Sequence, residues 1–427
     1  MKIKVTDKNY EAVCGLAFLE YKRPVKQSAF WRKLIKFLSA AEMRAIDFSY
    51  TQKGMEHLNK DEPCLILMNH SSFTDLQIAG TIFADRQYHI ICTNDGFVGK
   101  FGLMRRIGCI PTRKFITDAT LVKSMKYAFE ELRSSCLMFP EASYSFDGTQ
   151  TPLPESLAKF IKIMKVPVVM VRTHGAYLRD PLYNNLQKRN VKVSAEVSYL
   201  LSPEDIAAKS TFELKQVLDG AFEYDHFKEQ FEQGVEIKEN FRADGLHRPL
   251  YKCPHCMTEG SMLGKGTRIR CGQCSVEYEL SEKGKLICVS GEKGIFEYVS
   301  DWYKWEREKV REEIQNGSYK MREEVDILML KDMKSMYRVG KGILTHDIDG
   351  FVLKGCDGKL SYKQSGKSSY SLYSDYFWYE IGDMISIGDN LAQYYCFPVN
   401  QEKAIVAKAR LATEEIYKTL REKHQTA

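Results

Sequence analysis

His70 and Asp75 stand five residues apart in the run Cys64-Leu65-Ile66-Leu67-Met68-Asn69-His70-Ser71-Ser72-Phe73-Thr74-Asp75. A carboxylate that accepts the proton on one imidazole nitrogen fixes the tautomer and leaves the other nitrogen free to take a proton from a hydroxyl. Such a pair needs no serine nucleophile. On one straight helix, residues five apart point about 140° away from each other, so the two cooperate only if the histidine precedes a helix and the aspartate lies in its first turn. The flanking residues predict that arrangement. The apolar stretch before Asn69 reads as a buried strand, and Ser72 with Asp75 three positions on reads as a helix start. The same residues also fit a plain turn in which Asp75 is only a cap.

A second set with chemistry in it is Cys253-Pro254-His255-Cys256 and Cys271-Gly272-Gln273-Cys274, two C-x-x-C knuckles separated by fourteen residues. Four thiolates at this spacing suit a tetrahedral structural Zn²⁺ between two short hairpins, a zinc ribbon. One such pair alone would equally suit thiol-disulfide exchange, because a C-x-x-C lowers a thiol pKa. With four protein ligands no coordination position is left for a substrate, and the metal would supply the folding energy of a segment too short to bury a core. The other eight cysteines are scattered singly at 14, 64, 92, 109, 136, 288, 356 and 396, several in apolar strands. A free cysteine there behaves as a small hydrophobe, and this usage fits a reducing cytoplasm.

Three further blocks follow the histidine run: Gly108-Cys109-Ile110-Pro111-Thr112-Arg113-Lys114, then Cys136-Leu137-Met138-Phe139-Pro140-Glu141-Ala142-Ser143-Tyr144-Ser145, then Val166-Pro167-Val168-Val169-Met170-Val171. In order and separation the four blocks resemble the motifs of the glycerolipid acyltransferase family, the group that includes 1-acylglycerol-3-phosphate acyltransferase. The resemblance covers roughly residues 30 to 230. It implies that His70 and Asp75 are the catalytic pair, the histidine deprotonating an acceptor hydroxyl that attacks an acyl thioester carried by acyl-CoA or acyl-carrier protein. It implies that Arg113 contacts the phosphate of a lysophospholipid acceptor, with Lys114 adding charge beside it, and a planar guanidinium does bind phosphate bidentately. A solvated Arg-Lys pair on a loop is the plainer reading. Glu141 matches the family glutamate that helps bind the acceptor, and Ser143 is expected to join the substrate-binding set. The chain departs from the family where Ala142-Ser143-Tyr144 replaces the usual Gly-Thr-Arg. Without that basic residue, Arg113, Lys114 and nearby Arg105 and Arg106 would carry the phosphate, or the acceptor differs.

Stepping outward to the elements, His89 to Cys92 and Val166 to Val171 read as strands, and Val191 to Val197 alternates with period two like a half-exposed one. Ala119 to Leu132 and Glu155 to Met164 read as helices, so strand and helix alternate as in an α/β layer fold. The expected fold is an α/β acyltransferase domain, a mixed sheet with flanking helices, over 1–240. A zinc ribbon over 245–290, a helical linker over 291–335 and a small mostly-β domain with a C-terminal helix over 336–427 follow. Trp302 to Met333 is rich in Glu, Lys and Arg and predicts one or two exposed helices. The last region has Asp349-Gly350 and Asp357-Gly358 turn signals and strand-like runs, an outline resembling pleckstrin-homology-like modules.

A net charge of +6 and a pI of about 8.5 permit anionic membranes or nucleic acid without selecting either. No signal peptide or membrane-spanning stretch is read, so the expected location is cytoplasmic, with lipid met from the aqueous side. In Phe30 to Leu38, Trp31, Leu34, Ile35 and Leu38 recur at helical spacing with Arg32, Lys33 and Lys36 off the stripe. That suits an interfacial helix peripheral on anionic lipid, or an amphipathic helix packed on its own core. Two function classes result: an O-acyltransferase of phospholipid metabolism, and a non-catalytic acyltransferase-like scaffold that binds a protein or nucleic acid through its ribbon. Lys265, Arg268 and Arg270 hint at the second. His70, Asp75, Arg113 and Glu141 together favour the first, with nucleic acid an unlikely partner, because a binding module needs none of them jointly.

Overall fold

A computed structural model of the 427-residue chain describes residues 2–17, 20–116 and 118–425. The chain folds as two compact units, one of residues 20–181 and 188–226, the other of residues 1–19, 182–187 and 227–427. The first strand, β1 (Val5–Asp7), runs parallel to a strand more than three hundred residues later, Val5 pairing with Met336. The expected single domain over 1–240 is therefore divided. Its first and last segments belong to the other unit, because the backbone of Val5–Asp7 finds its ladder partner there.

The 20–226 unit is built on seven strands, β2 (Ser49–Lys53), β3 (Leu65–Met68), β4 (Tyr88–Thr93), β5 (Cys109–Thr112), β6 (Ser135–Met138), β7 (Val168–His174) and β8 (Ser194–Leu201). Their order is β2-β8-β7-β3-β6-β4-β5, and every pair is parallel except β7 with β8. This is the expected mixed sheet. β3 lies in its middle, all four residues buried, which is why its sequence is an unbroken apolar run. Leu65 and Leu67 join Val168 and Met170 in a core with Met125, Phe129, Leu157, Ile161, Leu214 and Leu218 from helices Ala119–Glu130, Leu157–Met164 and Thr211–Ala221. Helix Ala29–Ala45 packs on helix Asp75–Ile82. The approach is close: a Cβ on Gly80 would stand 2.7 Å from Ile35 Cγ2. Because β3 and β6 run parallel and side by side, their carboxyl ends bring residues 69–75 and 139–145 together, the usual ligand-binding edge of such a sheet.

The other unit holds two antiparallel sheets. β9 (Met262–Lys265), β10 (Arg268–Cys271), β11 (Glu277–Leu280) and β12 (Leu286–Cys288) form the smaller, in the order β12-β11-β10-β9. Helix Val299–Gln315 follows and is anchored by Trp302, fully buried, whose indole N–H donates to the Lys252 carbonyl at 3.0 Å. The larger sheet contains β13 (Met321–Leu330), β14 (Met336–Asp347), β15 (Gly350–Gly355), β16 (Leu360–Ser365), β17 (Tyr373–Trp378), β18 (Gly382–Gly388) and β19 (Gln393–Pro398), in the order β16-β15-β14-β13-β19-β18-β17, with β1 beside β14. Helix Ile405–Gln425 closes the chain's described part.

Here the reading of Trp302 to Met333 as exposed helices is corrected. Its first half is a helix with a buried face, and its second half is β13, the middle strand of the sheet. Arg322, Glu323 and Glu324 hid a strand whose remaining residues, Val325 to Leu330, are nearly all buried. The small β domain thus begins at Met321.

Candidate functional site

Asn69 and His70 follow β3 directly. The Asn69 side-chain oxygen accepts from the Thr173 amide (2.8 Å) and hydroxyl (3.1 Å) on β7, which fixes the amide's orientation, and its Nδ2 donates to Ser71 Oγ at 3.0 Å. The helix after the turn begins at Asp75, with its N-cap at Thr74 and not at Ser72. Ser72 Oγ accepts from the Thr74 amide at 2.9 Å in a local turn, and Thr74 is the N-cap without using its side chain. Asp75, the first helical residue, reaches back over that turn. Its Oδ2 accepts from the Ser71 amide (2.9 Å), the Ser72 amide (3.1 Å) and His70 Nδ1 (3.1 Å). A carboxylate placed so keeps the proton on Nδ1 and leaves Nε2 as the basic nitrogen.

The imidazole lies between two rings, Phe139 at 4.2 Å and Tyr144 at 3.9 Å between centroids, with interplanar angles of 25° and 30°. Two rings that close would overlap on one face, so they sandwich the histidine. Tyr144 stacks in turn on half-exposed Phe73 at 5.1 Å. Tyr144 thus forms an aromatic wall beside the imidazole. Burial and the nearby Lys114 charge hold His70 well below the usual histidine range, so the ring is neutral at pH 7. Burial pushes the Asp75 carboxyl up to about 7, against the pull of the Ser72 and Ser71 amides.

Glu141, just past β6, is buried. Its Oε2 accepts from the His70 amide at 2.8 Å, and its Oε1 accepts from the Thr151 amide at 2.8 Å and the Tyr224 hydroxyl at 3.0 Å. Both oxygens are occupied by protein donors, so the geometry is that of a group holding His70's backbone. Burial raises this carboxyl also, to about 7. Ser143 is buried with no hydrogen-bond partner for its Oγ among the described residues.

Arg113 and Lys114 leave the carboxyl end of β5, the sheet's edge and three strands from β3. At ~4.8 Å per strand their backbone starts ~14 Å away, so only long side chains turned back across the sheet reach the dyad. The Lys114 charge bears on His70. Half-buried Arg113 has neither a hydrogen bond nor an ion pair among the described residues. Arg105 is tied to the Arg23 carbonyl at 2.7 Å, and Arg106 is exposed.

Sequence reading missed three contributors. Tyr224 holds Glu141; His226 Nε2 lies 3.2 Å from Ser71 Oγ with its ring parallel to Tyr177; and Asp180 accepts from Ser72 Oγ. None carries a local signal, since each comes to this site from a distant part of the chain, His226 from the first position of helix His226–Glu232.

In the other unit, the sulfurs of Cys253, Cys256, Cys271 and Cys274 all lie within 4.8 Å of one another. Two of these separations cross between the knuckles, Cys253 to Cys274 at 3.6 Å and Cys256 to Cys271 at 3.7 Å. A tetrahedron with Zn–S bonds of ~2.3 Å has edges of ~3.8 Å, so the set fits one metal ion. The knuckles match in backbone too: Met257 N bonds Cys253 O and Ser275 N bonds Cys271 O, both at 3.0 Å, each donor residue having a positive φ. His255 is outside the set, held between the Tyr278 hydroxyl at 2.8 Å and Glu292 at 2.7 Å.

Residues 49–174 match the protein-family model described as Acyltransferase. His70, Asp75, Arg113, Lys114, Glu141 and Ser143 fall inside the matched residues, and the four cysteines and the larger antiparallel sheet fall outside them. Among solved structures the chain is similar to the 1-acyl-sn-glycerophosphate (LPA) acyltransferase PlsC from Thermotoga maritima, at 18% identity, over 44% of this chain and 76% of that one, with a TM-score of 0.34. No curated protein matches the chain.

Proposed function

We propose that the protein transfers a fatty acyl group from acyl-CoA or acyl-carrier protein to a hydroxyl of a lysophospholipid, 1-acylglycerol-3-phosphate being the acceptor that best suits Arg113 and Lys114. The observation that carries this reading is the convergence of three N–H groups, one of them His70 Nδ1, on a single oxygen of Asp75. His70 Nε2 takes the acceptor's hydroxyl proton as the oxygen attacks the thioester carbonyl. The C–O bond forms, the C–S bond breaks, and the proton passes from His70 to the leaving thiolate. Glu141 positions His70, half-buried Arg113 offers an unpaired guanidinium to the phosphate, and buried Ser143 offers a free hydroxyl to the substrate.

Substrate would be met at a membrane surface. Helix Ala29–Ala45 turns Ile35 and Ser39 toward Gly80 while Phe30, Phe37 and Leu38 remain 65%, 75% and 66% exposed, flanked by exposed Lys33 and Lys36. That face suits peripheral contact with anionic lipid. Among the described residues no helix is long and apolar enough to cross a membrane. The four cysteines are proposed to hold structural zinc. The ribbon's outer face gives little support to nucleic-acid binding: Arg268 lies across from Glu279 and 3.6 Å from Glu277, so its cations sit among carboxylates.

The test offers acyl-CoA and a panel of lysolipids to wild-type protein and to His70→Ala, with products read by mass spectrometry. Wild type should acylate a phosphate-bearing lysolipid, and His70→Ala should lose on the order of 100-fold or more while remaining folded. Undiminished turnover in His70→Ala would remove the assignment.

A further inference from the structure

Three buried carboxyl groups converge on the short turn between β3 and its helix, and only two of them belong to the matching motifs. Glu141 accepts from the His70 amide, Asp75 from the amides of Ser71 and Ser72, and Asp180 Oδ1 from the Ser72 hydroxyl. The Ser72 hydroxyl thereby spends its one proton on Asp180 while accepting from the Thr74 amide at 2.9 Å. We propose that Asp180 is a positioning residue for the His70–Asp75 pair: by fixing Ser72 it holds the amide that Ser72 presents to Asp75, and through Asp75 it sets the His70 ring.

Asp180 ends the short helix Ala176–Arg179 that follows β7, and it is 4% exposed. Its sequence neighbour does not neutralise it. The Arg179 guanidinium turns to Glu42, donating at 3.1 and 2.9 Å, and Lys188 also pairs with Glu42. A buried acid whose bonded partner is a serine hydroxyl is an expensive way to satisfy one donor, because desolvating a carboxylate costs more than an amide would. An aspartate there is explained if its charge and reach serve the turn. The charged groups facing it are Asp75 and Glu42, both repelling its ionised form, and Lys188, which favours it. Burial together with these two acids lifts its carboxyl to about 7. The repulsion is mutual, so an ionised Asp180 also makes Asp75 harder to deprotonate.

This inference rests on the acyl-transfer reading, and the experiment separates the two. Asp180→Ala, Asp180→Asn and Ser72→Ala are assayed from pH 5.5 to 8.5, and the His70 ring is titrated by NMR in the same full-length variants. Asp180→Ala should lower kcat roughly 10-fold with both KM values within about twofold, and Ser72→Ala should reproduce that loss. Asp180→Asn, which keeps an acceptor for Ser72, should recover most of kcat above neutrality and move the acid limb of the profile to lower pH. The NMR arm needs no turnover: Asp180→Ala should shift the His70 ring signals and Asp180→Asn should largely restore them. Wild-type kcat in Asp180→Ala, or ring signals unchanged in it, would overturn the role of Asp180. Full activity in His70→Ala would overturn acyl transfer by the dyad while leaving the NMR result to decide on Asp180.

Discussion

On the proposed mechanism, the chemistry at His70 turns on which nitrogen carries the proton, and Asp75 decides it. Burial and the Lys114 charge lower the His70 pKa well below its usual range, and of the carboxyls raised to about 7 around the turn, Asp75 is the one bonded to the ring. Protonating Asp75 weakens its hold on Nδ1–H and removes the charge that would stabilise the imidazolium formed during transfer. The sign follows: kcat/KM should be low in acid and rise to a plateau as pH passes through about 7, the value to which Asp75 is raised. Asp75→Asn should lose roughly 100-fold or more on the plateau and also lose the ascending limb. An unchanged limb in that variant would assign the titration to Glu141 or Asp180, which are raised to about the same value. The His70–Asp75 contact was legible because histidine, aspartate and the intervening turn lie within six residues of chain. Asp180, Tyr224 and His226 were illegible because tertiary packing alone brings them to the same turn, from positions where an isolated Asp, Tyr or His has no pattern to betray it.

At the scale of elements, the apolar run before Asn69 announced β3 because a strand covered on both sheet faces cannot alternate. The capping pattern at Ser72 places the helix start two residues early. Ser72 has the chemistry of a cap, but its hydroxyl closes a turn with Thr74 and donates to Asp180, and the backbone becomes helical only at Asp75. The loop after β6 departs from the family pattern in a way the backbone makes measurable. Ala142 has a φ of 56°, in the left-handed region where an L-residue with a Cβ is strained, at the position where the family pattern has glycine. Relief of roughly 1–2 kcal/mol of strain, less roughly 0.5–1 kcal/mol for glycine's extra freedom when unfolded, leaves a net gain of about 0.5–1 kcal/mol for Ala142→Gly. Thermal denaturation should show a Tm higher by about 2 °C. A lower Tm would mean that the Ala142 methyl makes a packing contribution larger than its backbone strain.

At the scale of the whole molecule, the order of regions along the chain is not the order of packing. Residues 1–19 and 182–187 fold with residues 227–427, and β1 lies in the larger antiparallel sheet, pairing Val5, Thr6 and Asp7 with Met336, Tyr337 and Arg338. Three short β residues at the start of a chain gave no hint of so distant a partner, and the acidic first half of β13 masked the strand that centres that sheet. The knuckles were legible because metal ligation fixes both residue type and spacing. They also give the sharpest test at this scale. Purified protein should carry about one zinc per chain, and Cys271→Ser should lose it together with the order of the two knuckles, which the sulfur cluster ties together. Tyr278 of the ribbon lies 5.4 Å from the Trp302 ring, so metal loss should change tryptophan fluorescence. The dyad belongs to the other compact unit and shares no residue with the cluster, so acyl transfer should persist at a measurable level in Cys271→Ser. The opposite outcome is equally concrete. A protein that binds no zinc when purified without chelator and readily forms a Cys253–Cys256 disulfide would contradict the metal site directly.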